Sequence, residues 1–247
     1  MKKTFLNLGA AALICTALLT SCSKEKNTTA TAQAEMGFQL TADNQQATVT
    51  TSSVTGGTEV NAIIGTTASI KWSSVIANVT RFKLEAKRNG KVTEVTTKNV
   101  SNLDLLNLSS SPIVDLVDTG HYREIEVSIL LTKSSGTDIP LTAKGTFTTS
   151  GGAAVPIEFD YNDNAIIKTE VKDVNVDATT GVTSKINLHL NRLLMGIPPT
   201  LLDQATRTNG TIIISGTSNA NIYNRVIANV LLAFEAHEFE HHQKGGK

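Results

Sequence analysis

Alternation of apolar and polar residues is the dominant pattern of the chain between about residues 36 and 215. The alternating runs are short, rich in Thr and Val, and separated by Gly, Asn, Asp and Ser. Successive side chains of a strand point to opposite faces, so this pattern predicts half-buried strands. Many short strands with short turns predict a mainly β fold, an antiparallel β-sandwich of Ig-like or transthyretin-like type. The runs lie at 81–87, 92–97, 124–131, 143–149, 155–160, 166–171 and 186–190.

The clearest pair of these runs predicts a β-hairpin. Phe82, Leu84 and Ala86 alternate with charged residues, and Asn89-Gly90 separates them from the run 92–97. Asn and Gly tolerate the positive φ angles of a type I′ turn, which matches the twist of paired strands. We therefore predict two antiparallel strands joined by a tight turn.

A leucine-rich stretch between Ser101 and Tyr122 departs from the alternation. Its apolar residues are clustered, and Gly120-His121-Tyr122 then leads into the next strand. The stretch predicts a partly irregular segment that covers one face of the sandwich.

The C-terminal segment, residues 216–247, is predicted to be helical. Ser218 or Asn219 is a suitable cap for a helix that runs to about Gln243. Apolar residues follow at spacings of three and four, which predicts one face that docks on the sandwich. These residues are Ile222, Val226, Val230, Ala233 and Phe234.

The first 21 residues have the pattern of a secretory signal peptide. Lys2 and Lys3 precede an apolar stretch, 6–19, that is too short to span a bilayer as a stable helix. Leu19-Thr20-Ser21-Cys22 resembles the lipobox of bacterial lipoproteins, and this resemblance implies cleavage before Cys22 and acylation of Cys22, by palmitate among other chains. The alternative is an ordinary secreted protein.

The segment from Cys22 to Glu35 predicts a flexible tether, because it is polar and lacks apolar periodicity. Ser23-Lys24-Glu25-Lys26 resembles the export tags of some Bacteroidetes surface lipoproteins. No Asp follows Cys22 directly, which favours the outer membrane over retention at the inner membrane. Whether the domain faces the periplasm or the cell surface stays open.

Composition narrows the classes of function. Without residues 1–21 the chain loses Lys2 and Lys3, so 20 Lys and Arg stand against 22 Asp and Glu. This balance leaves no excess of positive charge of the kind that binds nucleic acid. Cys22 is the only cysteine left after cleavage, so we expect neither an internal disulfide nor thiolate chemistry.

Three short segments resemble a family of Bacteroidetes-type lipid-anchored lipoproteins with a β-sandwich domain of unknown function. The segments are Asn-Leu-Asp-Leu-Leu-Asn-Leu at 102–108, Gly-His-Tyr-Arg-Glu-Ile-Glu-Val at 120–127 and Pro-Ile-Glu-Phe-Asp-Tyr at 156–161. The resemblance spans about residues 36–195. It implies a sandwich fold and an envelope location, and it carries over no catalytic residue.

The sequence His237-Glu238-Phe239-Glu240-His241 matches H-E-x-x-H. On a helix this spacing points two imidazoles at one Zn²⁺ and places a glutamate as general base. A third ligand would have to come from elsewhere, for example His121 or His189. The other interpretations are a polar helix end and weak binding of a divalent metal by His237, His241 and His242.

Two further groups are candidates for binding. Asp160, Asn162 and Asp163 predict either a β-turn or a small Ca²⁺ site, whereas Asp173–Asp177 departs from the EF-hand pattern and predicts a strand. Trp72, Tyr161 and Tyr223 are the aromatic residues that could stack on a sugar, in which case Trp72 would be exposed. The alternation of Trp72 with Ile70 favours a core position instead.

Taken as a whole, the sequence predicts a non-catalytic, lipid-anchored envelope lipoprotein that serves as a structural or adhesive binding module. The alternatives are a glycan- or metal-binding module and, more remotely, a zinc peptidase. We expect no cofactor and no nucleic-acid partner. The expected partners are the membrane, through the lipid, and an envelope protein or glycan.

Overall fold

A computed structural model of the chain describes residues 32–50, 67–97, 99–107, 113–236 and 240–243. The predicted signal peptide, Cys22 and most of the predicted tether lie outside the described residues. None of the helices in the described part of the chain is both long enough and apolar enough to cross a bilayer.

The described residues are mainly β-strand, as the alternation predicts. The helices are α1 (Leu190–Leu193), α2 (Pro199–Asp203) and α3 (Ala220–Ala233). In chain order the strands are β1 (Gln33–Asp43), β2 (Gln46–Thr50), β3 (Thr67–Val79), β4 (Arg81–Arg88), β5 (Lys91–Thr97), β6 (Val100–Asp104), β7 (Ile113–Asp118), β8 (Gly120–Leu131), β9 (Leu141–Thr148), β10 (Ala154–Tyr161), β11 (Ala165–Val176), β12 (Thr180–His189), β13 (Arg207–Thr208), β14 (Thr211–Ile214), β15 (Phe234–Ala236) and β16 (Glu240–Gln243).

The strands form three sheets. The first sheet has the order β15-β12-β1-β7, with β16 also paired to β12. The second sheet has the order β13-β14-β10-β9-β3-β2, with β6 also paired to β3. The third sheet has the order β11-β8-β4-β5. Two pairs among the described strands, β1 with β12 and β10 with β14, are parallel. The first two sheets are therefore mixed, whereas the third is antiparallel.

A continuous apolar core joins the sheets. Phe38 of β1 and Phe82 of β4 lie with their ring centroids 5.3 Å apart, so the first and third sheets share this core. Phe159 of β10 packs against Tyr223 of α3 at 6.2 Å, which docks the helix on the second sheet. The predicted fold class, a β-sandwich with a C-terminal helix, is confirmed.

The predicted hairpin is present. β4 pairs with β5 from Phe82 opposite Thr97 to Arg88 opposite Lys91. Asn89 and Gly90 have φ angles of 49° and 73°, as a type I′ turn requires. The leucine-rich stretch is more regular than predicted, since it contains β6 and β7.

The two ends of the sandwich can be told apart from the register. Gln33 at the start of β1 lies opposite Asp118 at the end of β7, and Gly120 begins β8 two residues later. We call this end, with Gln33, Asp118 and Gly120, the entry end. β8 has 12 residues and at a rise of about 3.4 Å per residue carries the chain about 40 Å to the opposite end. That opposite end, marked by Leu131, is called the far end.

Two predicted boundaries were wrong. β1 begins at Gln33, so the last three residues of the predicted tether belong to the sheet, where Ala34 is buried. The predicted helix to Gln243 ends at Ala233, and the chain continues as β15 and β16 along β12. Because the edge of β12 away from β1 is open to another strand, strand pairing of residues 234–236 and 240–243 replaces further helical turns.

Candidate functional site

A polar cleft opens at the far end of the sandwich. Its volume is about 350 Å³, and loops that follow β8, β10 and β14 line it together with α3. We call it the far-end cleft. The polar side chains that form its walls are Lys133, Asp160, Asn162, Asp163, Ser215, Thr217 and Tyr223.

Hydrogen bonds between loops fix the shape of this cleft. Asn162 donates from Nδ2 to the carbonyl of Ser134 at 3.0 Å and accepts at Oδ1 from the amide of Ser134 at 2.8 Å. The amide of Lys133 donates to Asn164 Oδ1 at 2.8 Å. These bonds join the loop after β8 to the loop after β10, although about thirty residues separate them.

Tyr223 is held in the cleft by two hydrogen bonds. Its hydroxyl donates to Asp163 Oδ2 at 2.6 Å and accepts from the amide of Asn162 at 3.4 Å. Burial, together with the hydrogen bond to Asp163, raises the pKa of Tyr223 well above its ordinary value. The hydroxyl therefore stays protonated and orients the carboxylate of Asp163.

Asp160 is a half-buried carboxyl on the same wall. Burial and, next, the neighbouring Glu158 raise the pKa of Asp160 above its ordinary value. The hydroxyl of Thr142 donates to its Oδ1 at 3.3 Å, and Lys144 pairs with Glu158 at 2.9 Å. Asp160 therefore adds a second carboxyl group to the cleft.

The opposite wall is a turn rich in hydroxyl groups. The amide of Ser215 donates to the carbonyl of Ser218 at 2.8 Å, and the amide of Ser218 donates to Ser215 Oγ at 3.1 Å. The hydroxyls of Ser215 and Thr217 are 3.3 Å apart. The turn thus presents hydroxyl groups at fixed positions.

A second polar group, outside the far-end cleft, is centred on His189. This buried side chain lies with Nδ1 2.7 Å from Asp43 Oδ1 and with Nε2 3.0 Å from Glu235 Oε2. Arg192 donates to the same oxygen of Glu235 at 2.9 Å. Hydrogen bonds from Arg192 and then from His189 lower the pKa of Glu235. With both ring nitrogens engaged by carboxylates, His189 joins β1, β12, α1 and β15.

The structure does not reproduce the helical geometry on which the zinc-peptidase prediction depends. His241 and His242 lie in β16, opposite Val182 and Gly181 of β12. His237 and Glu238 lie outside the described residues. Because H-E-x-x-H needs both histidines on one helix, this placement of His241 contradicts the zincin arrangement. Binding of a divalent metal by His237, His241 and His242 stays a prediction.

The other predicted metal groups serve local structure. Both polar atoms of the Asn162 amide are engaged by Ser134, and Asp163 accepts from Tyr223. Asp173 lies in β11, where the strand prediction for this segment is confirmed. His121 lies 3.6 Å from Asp173, and both side chains are more than half exposed. Among the described residues, no three His, Cys, Asp or Glu side chains are placed to hold one metal ion.

Trp72, Tyr161 and Tyr223, the aromatic residues that the sequence suggests for sugar stacking, do not form a stacking platform. Trp72 is 1% exposed, so the predicted core position is confirmed and the exposed position that a stacking glycan site requires is contradicted. Tyr161 and Tyr223 are each 4% exposed. Sequence reasoning identified Asp160, Asp163 and Tyr223 but missed Lys133, Ser215 and Thr217, because no local motif links these three residues.

Comparison with known proteins adds no relative. No family model, no curated protein and no solved structure matches the chain.

Proposed function

We propose that this chain is a non-catalytic lipoprotein of the outer membrane, anchored by lipid on Cys22, that serves as a binding module. The observation that carries the proposal is the position of the far-end cleft. The chain enters the fold at Gln33, with ten residues (23–32) between it and Cys22, and the cleft lies at the opposite end of β8. A lipid anchor on Cys22, on the N-terminal side of β1, is therefore compatible with binding of a partner in the far-end cleft.

The polar groups of the far-end cleft support binding of a partner. The hydroxyl of Tyr223 donates to Asp163 Oδ2 at 2.6 Å and so orients this carboxylate. A carboxylate has further acceptor sites, and the hydroxyls of Ser215 and Thr217 also line the cleft. The partner is an envelope protein or glycan.

Metabolic labelling tests the anchor. Full-length protein expressed in a Gram-negative host with an alkyne analogue of palmitate should carry the label and sediment with the outer membrane. The Cys22→Ala variant should carry none and should leave the membrane fraction, whereas Cys15→Ala should behave as wild type. Equal labelling of wild type and Cys22→Ala would rule out lipidation at this residue.

A further inference from the structure

We propose that the far-end cleft binds a neutral saccharide of one or two sugar rings through hydrogen bonds to its polar walls. This inference rests on the proposed function, since it names the ligand class of the binding module. It replaces the stacking mode, which would have required an exposed Trp72.

The size and lining of the cleft indicate a small polar ligand. Its volume of about 350 Å³ lies near the lower end of small-molecule pockets, about 300–1,000 Å³. Among its lining residues, only Ile139 and Gly216 lack a polar side chain. An apolar ligand would therefore leave carboxyl and hydroxyl groups desolvated and unpaired, which is costly.

The charge of the lining disfavours an anion. Asp160 and Asp163 contribute two carboxyl groups, whereas Lys133 contributes one ammonium group. Phosphate, sialate or uronate groups would be repelled by this surplus of negative charge. Vicinal hydroxyls of a neutral sugar, by contrast, donate to carboxylates, and Lys133, Ser215 and Thr217 can donate to the sugar oxygens.

The walls are held in place before any ligand arrives. Tyr223 fixes Asp163 at 2.6 Å, and the hydrogen bonds of the 215–218 turn fix its hydroxyls. A preorganised site loses little conformational entropy on binding. The ring of Tyr223 packs on Phe159 and is buried, so recognition depends on hydrogen bonds rather than on stacking.

A carbohydrate microarray with neutral and anionic oligosaccharides tests the proposal. Full-length protein purified in detergent should be retained by neutral oligosaccharides, and the corresponding free methyl glycosides should compete for the site. Asp163→Asn and Thr217→Val should each weaken binding by at least about tenfold, because each removes a hydrogen bond to the ligand. Asp173→Asn, on β11 with a side chain 78% exposed, is the matched control and should bind as wild type.

Three outcomes would overturn the proposal: no retention by neutral oligosaccharides, retention by anionic oligosaccharides alone, or equal binding by wild type, Asp163→Asn and Thr217→Val. Thermal unfolding of each variant establishes that it is folded. Palmitate labelling of Cys22 without saccharide binding would overturn this inference alone. If the protein binds saccharide but is never lipidated, the lipid anchor of the proposed function would be overturned, whereas saccharide binding in the far-end cleft would be supported.

Discussion

Individual residues of this fold are constrained most tightly where two strands approach closely. Gly145 of β9 lies against β3 at the point where the register shifts between Trp72 and Ser74. A Cβ at Gly145 would lie 2.3 Å from the carbonyl oxygen of Lys71 and 2.9 Å from the Cα of Trp72. Both of these are backbone atoms, so the contact cannot be relieved by a change of side-chain rotamer.

We therefore expect Gly145→Ala to destabilise the protein by about 1–3 kcal/mol, the usual cost of overpacking. Gly136→Ala is the matched control, because the atom nearest to its added Cβ would be 3.8 Å away. Unfolding in urea measures both variants. A Gly145→Ala variant as stable as Gly136→Ala would mean that β3 and β9 are not this close.

A buried tyrosine fixes the entry end. Tyr122 is fully buried, and its hydroxyl donates to the carbonyl of Asp118 at 2.6 Å. Arg88 lies over its ring, with the guanidinium carbon 5.8 Å from the centroid, and pairs with Asp118 at 3.0 Å. Gly120, with φ of 140°, gives Arg88 the room to approach.

Tyr122→Phe should cost about 1–3 kcal/mol of unfolding free energy, because the Asp118 carbonyl loses its buried donor. Urea unfolding monitored by the fluorescence of Trp72 provides the measurement. Tyr161→Phe is the comparison, since the hydroxyl of Tyr161 makes only a long hydrogen bond of 3.4 Å with the carbonyl of Asn164. A smaller loss for Tyr122→Phe than for Tyr161→Phe would contradict this account.

At the scale of elements, the group centred on His189 links the last strand to the rest of the first sheet. Arg192 and His189 both lower the pKa of Glu235. A carboxylate whose pKa is lowered in the folded state stabilises the fold at pH values above its ordinary pKa, here 4.5. That contribution is lost as the pH falls through the lower, folded value.

Wild type should therefore lose more stability than Glu235→Gln when the pH is lowered from about 7 to about 3. Urea midpoints at both pH values give the comparison. Glu35→Gln, on β1 at the entry end, is the control and should follow the wild-type pH dependence. Identical pH dependence of wild type and Glu235→Gln would show that the contacts to Arg192 and His189 do not stabilise the folded state.

At the scale of the whole molecule, the C-terminal segment closes the first sheet. β15 and β16 pair with β12 on the side away from β1, and Phe234 packs against the core. Truncation after Ala233 removes this cover and leaves the backbone groups of β12 unpaired. We expect a loss of at least about 1 kcal/mol from Phe234 and self-association through the exposed edge.

Light scattering coupled to size-exclusion chromatography measures the association. A chain that lacks only residues 244–247 is the control, and its association state and stability should equal those of wild type. A truncated chain that remains monomeric and as stable as wild type would show that β15 and β16 are dispensable.

Much of the fold could be predicted from the sequence, because the information is local. The alternation of Phe82, Leu84 and Ala86 with charged residues reports burial on one face, and Asn89-Gly90 reports the turn between neighbouring strands. Trp72 was assigned to the core by its alternation with Ile70. Each of these inferences depends on residues only a few positions apart in the chain.

The far-end cleft could be predicted only in part. The polar segment at the end of β10 suggests Asp160 and Asp163, but the partner wall at Ser215 and Thr217 is more than fifty residues away in the chain. The sequence predicts Ser218 or Asn219 as the cap of α3, and Asn219 occupies the N-cap position without a capping hydrogen bond from its side chain. Asn219 instead adopts φ of 50° and binds the carbonyls of Thr206 and Ile213.

The sequence by itself determined the strand periodicity, the hairpin turn and the core position of Trp72, because short-range sterics and burial control these features. Only the tertiary structure decided where α3 ends. An apolar stripe through Phe234 is compatible with a longer helix, but the open edge of β12 offers backbone hydrogen bonds to an extended chain. The far-end cleft was decided in the same way, since its walls meet only when the loops after β8, β10 and β14 are brought to one end of the sandwich.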